Sequence, residues 1–435
     1  MATQLPHGVK TALAPGSFQR RRSAWLMTMA GALLLLLMPA AQAQTFSVLH
    51  YFTGALDGDT PYAGVTIGPA GVLYGTAANG GAFSAGTAFK LHQVNSSWVS
   101  TPLYEFTGGN AALPLGGVVV GPNGALYGTT FGNGVETFGT VYELTPPPTF
   151  CRSVTCYWNE NVVHTFARTD GAGPQVENLI FDSAGNIYGT AQGGGLYDSG
   201  VAFELTPSGG GYTETVLHNF GLGEDGRTPL AGVVFDTAGN IYGTTDLGGT
   251  GSLQTCHGSC GTVYQLVPSN GGWTENVLVN FDVSNGQHPY GNLIIDAANN
   301  LYGTTAMGGQ NGGGVVYQLA PSGGGGFTYS VLYSFASCGS RGGVAEDANG
   351  NLFGVCYSGG ANQDGWVFEL TNCSQGCSVV DLHDFTGADG MSPYGSPALD
   401  ASGNLYGTTG AGGTGCSEGC GVVWEIAGVA APRNN

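Results

Sequence analysis

Four short segments combine a carboxylate with a turn: Asp57-Gly58-Asp59-Thr60-Pro61, Asp170-Gly171-Ala172-Gly173-Pro174, Asp225-Gly226-Arg227-Thr228-Pro229 and Asp389-Gly390-Met391-Ser392-Pro393. Asn285-Gly286-Gln287-His288-Pro289 is a fifth variant. Hard oxygen donors repeated on loops suit Ca²⁺ or the hydroxyls of a sugar. Asp57, Asp59, Asp170, Asp225 and Asp389 are therefore candidate ligand-binding residues. The plainer reading is that Asp-Gly and Pro make turns. It is preferred, because no segment has the D-x-D-x-D-G density of a dedicated calcium loop. No metal or cofactor is assigned, and Ca²⁺ is the one ion these loops would suit. A sixth copy of the segment lacks the phrase and carries Cys338, Arg341 and Trp366 in and after it. Departure within a repeated set is where function concentrates, so Arg341 and Trp366 join the candidates. Gly109 to Pro114 departs too, having no Asp.

Other chemistry has little material. There is no G-x-S-x-G, H-E-x-x-H or P-loop, so no catalytic residue is assigned. Lys90 is the only lysine after residue 43, which leaves Schiff-base chemistry almost nothing to work with. His50, His164, His218 and His383 occupy one repeated position that Tyr104 and Tyr333 fill elsewhere, which reads as packing or surface. His257 between Cys256 and Cys260 resembles half a zinc site, but no second ligand pair accompanies it. The ten cysteines read as disulfides. Neighbourhood pairs them as Cys151–Cys156, Cys256–Cys260, Cys338–Cys356, Cys373–Cys377 and Cys416–Cys420.

The elements that carry these residues repeat. AGNIYGTT at Ala238 has relatives at Gly71, Gly124, Ala184, Asn299, Gly350 and Ser402. Around each lie four apolar segments rich in β-branched and aromatic residues, bounded by Gly, Pro, Asn or Asp. A four-strand unit repeated in this way predicts an all-β fold, a seven-bladed β-propeller of four-stranded antiparallel blades. GVVFD should be innermost, followed outward by NIYGTT, GTVYQL and the next TETVLHNF. The chain then starts with a lone outer strand, Phe46 to Phe52, which should pair with Gly421 to Ile426 and close the ring. In the repeated phrase the turn glycine takes a positive φ, Tyr242 fills the space between blades, and Gly243 admits a neighbouring backbone. The turn aspartates Asp182, Asp236, Asp296, Asp347 and Asp400 should accept backbone N–H groups. Segments leading into the inner strand share the top face with loops after the YGT strand, where propellers commonly bind ligands.

Residues 1–43 read as a secretory signal: a basic start (Lys10, Arg20, Arg21, Arg22), an apolar run from Trp25 to Met38, and Ala41-Gln42-Ala43 as the cleavage site. The propeller is expected over 44–426 and a short tail over 427–435. Whole-chain charge is 10 − 29 = −19, and without residues 1–43 it becomes 6 − 29 = −23. Such acidity disfavours nucleic acid and anionic membrane surfaces as partners.

Units of the form VLHxFxGxDGxxPxxGVxxDxxGNLYGTTxxGGxxxxGTVFEL resemble the GloVer tandem repeat of choice-of-anchor bacterial surface proteins, over essentially all of Phe46 to Ile426. The strand–DxxGN–strand pattern is more loosely similar to NHL-type propellers. The resemblance implies an extracytoplasmic repeat protein and carries no activity with it. The chain shows no sorting signal at Ala430 to Asn435, which favours release, and an extracellular or periplasmic monomer is expected. The leading expectation is a module that binds a cell-surface glycan or protein through its top loops. The alternatives are a purely structural envelope protein and a lyase or glycosidase using acidic residues in the central channel.

Overall fold

The computed structural model describes Met1 and residues 44–430 except 110, 133–136, 149–155, 176–177, 223, 251–255, 257–259, 374–375 and 418. The chain divides into two units, Met1–Ala43 and Gln44–Asn435. The signal segment, the Cys151–Cys156 pair and the His257 loop fall outside the described residues.

Seven four-stranded antiparallel sheets form a β-propeller. In the fourth blade the order outward is Val234–Phe235, Ile241–Thr245, Thr262–Ser269 and Gly272–Asn280, as the apolar pattern predicts. Thr45–Tyr51 pairs antiparallel with Val422–Ala427, with Thr45 opposite Ala427 and Tyr51 opposite Val422. The first and last strands thus share blade seven, and the ring is closed. Inner strands are only two or three residues long, shorter than their apolar runs suggest. Near the axis the lead-in backbones come too close for side chains: a Cβ on Gly395 would lie 2.0 Å from the Gly64 nitrogen of the adjoining blade.

The repeated phrase explains most of this geometry. Asp236 Oδ1 accepts the N–H groups of Ala238 and Asn240, each at 2.9 Å, and its Oδ2 accepts Asn240 Nδ2 at 2.7 Å and the Tyr242 hydroxyl at 2.9 Å. Asp182, Asp296, Asp347 and Asp400 staple their turns in the same way. The next-to-last turn residue is left-handed, Gly239 at φ 84° and Asn299 at 63°, and Asn is the side chain that best tolerates that region.

One expectation is corrected. Gly243 does not admit a neighbouring backbone. It makes room for the ring of its own cross-strand partner, Tyr264, whose hydroxyl oxygen would lie 2.3 Å from a Cβ on Gly243. The same glycine–aromatic pair joins Gly75 to Phe89, Gly128 to Tyr142, Gly189 to Phe203, Gly303 to Tyr317, Gly354 to Phe368 and Gly407 to Trp424. Each of these seven aromatics is 0% exposed. Between blades, Tyr242 and Val263 of blade four pack with Leu293, Leu301 and Tyr317 of blade five in one apolar cluster. The second-strand threonine ties adjoining blades by hydrogen bonds, as in Thr244 Oγ1 to the Pro289 carbonyl (3.1 Å) and Thr408 Oγ1 to that of Ala63 (2.8 Å). Cys256–Cys260, Cys338–Cys356, Cys373–Cys377 and Cys416–Cys420 are disulfides, as the spacing suggests.

Candidate functional site at the channel mouth

The lead-in loops are near-copies of one backbone. Thr60, Leu113, Gly173, Thr228, His288, Gly339 and Ser392 hold equivalent left-handed conformations, with φ 58°, 56°, 61°, 58°, 59°, 63° and 57°. The N–H of this residue reaches the preceding blade, as in His288 to the Cys260 carbonyl (3.0 Å) and Thr228 to that of Ser199 (2.8 Å). Its carbonyl accepts from its own blade, as in Asp246 N–H to Thr228 and Ala306 N–H to His288, both 3.0 Å. Non-glycine residues resist this region at about 1 kcal/mol or more each. The two-sided hydrogen bonding holds them there.

This clamp aims the residue two positions on toward the axis. Tyr62, Leu115, Gln175, Leu230, Tyr290, Arg341 and Tyr394, one from each blade, line a cavity of ≈ 90 Å³ at the channel mouth. The Arg341 guanidinium lies over the rings of Tyr357, Tyr290 and Tyr394 at 5.0, 5.2 and 5.4 Å. Tyr62 stacks on Tyr394 at 4.4 Å with 8° between ring planes, and Tyr357 stacks on Tyr394 at 5.5 Å. Cation–π contacts of this kind contribute about 0.5–2 kcal/mol. Among the described residues no carboxylate is within ion-pair distance of Arg341. Its five donors are thus offered to whatever enters. Burial raises the Tyr290 and Tyr394 hydroxyls above their ordinary range. At the edge, His288 Nδ1 bonds Asp246 Oδ1 at 2.7 Å, and this bond raises the imidazole pKa. His288 in turn stacks against Tyr290.

Of the residues singled out from sequence, only Arg341 lines this cavity. Asp57, Asp170, Asp225 and Asp389 stand in four different blades, away from one another. Each is held by a histidine of the preceding outer strand: His50 (3.1 Å), His164 (3.3 Å), His218 (3.1 Å) and His383 (3.0 Å). The same carboxylates cap loop amides, as Asp389 does for Thr386 and Asp170 for Ala167, both at 2.8 Å. The histidines, read from the sequence as packing or surface residues, are therefore polar partners of these loops. Asp59 accepts the Thr60 hydroxyl and pairs its backbone with Asn79. Trp366 lies at the rim of blade six, packed on Phe335 and Phe368 beside a depression shared with Tyr333, Val379 and Asp381.

Two further patterns in the sequence mark these residues. Copies with the histidine have the aspartate, while those with Tyr104, Val279 or Tyr333 lack it. And the position after the recurring Pro holds Tyr62, Leu115, Gln175, Leu230, Tyr290 and Tyr394, with aromatic, aliphatic and amide side chains at one repeated place.

The Gloeobacter/Verrucomicrobia repeat model matches residues 36–157 and 152–345. No curated protein matches the chain. Among solved structures it is similar to an ancestral GH74 enzyme, with 12% identity and TM-score 0.53 over 87% of this chain and 49% of that one. It is also similar to an extracellular domain from B. thetaiotaomicron described as part of a one-component system, with 14% identity and TM-score 0.52 over 88% of this chain and 40% of that one. A protein from Bacteroides uniformis described as a 6-phosphogluconolactonase aligns at 13% identity and TM-score 0.46, over 76% of this chain and 84% of that one. At these identities the likeness shows the fold alone.

Proposed function

The chain belongs to the Gloeobacter/Verrucomicrobia repeat family, and from that premise we propose that it is a glycan-binding module whose ligand sits at the channel mouth. The observation that carries this reading is the unpaired Arg341 guanidinium ringed by Tyr290, Tyr357 and Tyr394. The stacked rings hold the guanidinium in place, and it supplies a fork of donors for the hydroxyl or carboxylate oxygens of a sugar. The described residues lining the cavity include no carboxylate, which supports binding over acid-catalysed cleavage of a glycosidic bond. The four disulfides among the described residues suit an oxidising compartment, where such ligands are met.

The test is a glycan array containing neutral and uronate-bearing oligosaccharides, followed by calorimetry on the best hit. Arg341→Ala and Tyr394→Ala should each weaken binding about tenfold or more, the scale of a hydrogen bond to a charged group. Binding that both variants retain, or an array on which nothing binds, would refute the reading.

A further inference from the structure

The interface between blades three and four holds a group of side chains that the channel mouth does not use. His218 comes from the outer strand of blade three, Asp225 from the lead-in loop of blade four, and Glu275 from that blade's outer strand, Gly272–Asn280. One donor atom from each lies within 4.8 Å of the others. His218 Nε2 meets Asp225 Oδ2 at 3.1 Å, and the Asp225 side chain is only 6% exposed. Asp225 Oδ1 and Glu275 Oε1 are both buried and have no hydrogen-bond partner.

Two carboxylates facing each other out of water need positive charge between them. A single histidine supplies at most one unit, and only when protonated. One imidazole nitrogen and two carboxylate oxygens form the mixed donor set that Zn²⁺ accepts. We propose that this niche is a divalent transition-metal site that pins blade four to blade three. Donors at zinc distance stand about 3.4 Å apart, so the three close inward slightly around the ion. The orphaned oxygens supply the open coordination, and the metal does between these blades what disulfides do within loops elsewhere.

The equivalent niches show why this one stands out. In blade one the Glu275 position is Ser100, and in blade seven it is Phe46, whose ring lies flat on His383 at 3.5 Å. Blade two has Glu160, but its hydroxyl partner Tyr104 replaces the histidine. Blade three repeats the residue types as His164, Asp170 and Glu214, with a looser 3.3 Å histidine–aspartate contact. Among the described residues only the blade-four trio brings three such donors within 4.8 Å of one another.

The experiment is calorimetric titration of untagged, chelator-treated protein with zinc chloride, paired with melting curves. One equivalent should bind and raise the melting temperature. Glu275→Gln should abolish that binding and Glu214→Gln should leave it intact. Glu275→Gln should also melt no lower than the unsubstituted protein in chelator, since it removes a buried carboxylate. Should that variant fail to fold, Glu275→Asp retracts the donor by one methylene, and about a tenfold loss of affinity is expected. No binding up to millimolar zinc, binding that survives the change at Glu275, or binding lost with Glu214→Gln would each overturn the proposal. The first of these would leave a shared proton as the occupant.

Discussion

Gly243→Ala sets two effects of opposite sign against each other. Replacing glycine with alanine restricts the unfolded chain and by itself stabilises by about 0.4–1 kcal/mol. Here the new methyl would lie 2.3 Å from the Tyr264 hydroxyl oxygen and 2.5 Å from Cζ, against a ring that is 0% exposed and cannot swing away. Overpacking of that kind costs about 1–3 kcal/mol, so the net expectation is a loss of about 1–2 kcal/mol. The partner substitution decides whether the ring is the cause. Tyr264→Leu alone leaves a void and costs about 2 kcal/mol or more, yet combined with Gly243→Ala the methyl occupies part of that void. The pair should be less destabilised than the sum by about 1 kcal/mol or more. Urea unfolding of the oxidised protein, followed by tryptophan fluorescence, measures all three variants. A neutral or stabilised Gly243→Ala, or strict additivity, would show that the glycine serves some purpose other than seating the ring.

Three further outcomes are expected. Burial first, and the Asp170 charge second, push the Glu214 carboxyl up to about 7. The folded state therefore holds a proton that the unfolded state has released, so stability falls as pH rises from the ordinary glutamate range to about 7. In chelator, Glu214→Gln should flatten that fall in pH-dependent melting, and an unchanged slope would count against it. Removing residues 44–52 exposes the edge of Val422–Ala427 and deletes Phe52, itself 0% exposed and worth about 3–5 kcal/mol as an alanine substitution. The truncated protein should lose its cooperative melt, and an unaltered melting curve would contradict the closure. Opening Cys338–Cys356, 18 residues apart, by a double serine substitution should cost about 3 kcal/mol, against about 2 kcal/mol for the four-residue Cys416–Cys420 loop. Chemical unfolding of the two variants side by side measures the difference, and equal costs would show that chain entropy does not set it.

The fold was legible in the sequence because seven concordant copies average out the ambiguity of any one. The turn aspartates, the left-handed glycine and the order of strands follow from local rules repeated in every blade. The partner of Gly243 was not, because the cross-strand register that sets Tyr264 over it is fixed by the ladder rather than by neighbours along the chain. The histidine–aspartate pairs span two blades, and only comparison across copies reveals that the two residues come and go together. Arg341 stood out because its loop breaks the pattern. Tyr62, Tyr290 and Tyr394 did not, since a tyrosine after a proline looks unremarkable until seven loops turn it toward one axis.

The left-handed clamp before each of those positions has a consequence for how such a molecule diversifies. The chain's path is held by main-chain groups and, in six of the seven loops, by a proline, so the side chain that follows does not set the course of the backbone. Seven interchangeable sockets face a common vestibule, and each can be refitted without disturbing the walls. A lineage that keeps the frame and redraws only those seven letters would acquire new ligands at almost no risk to folding.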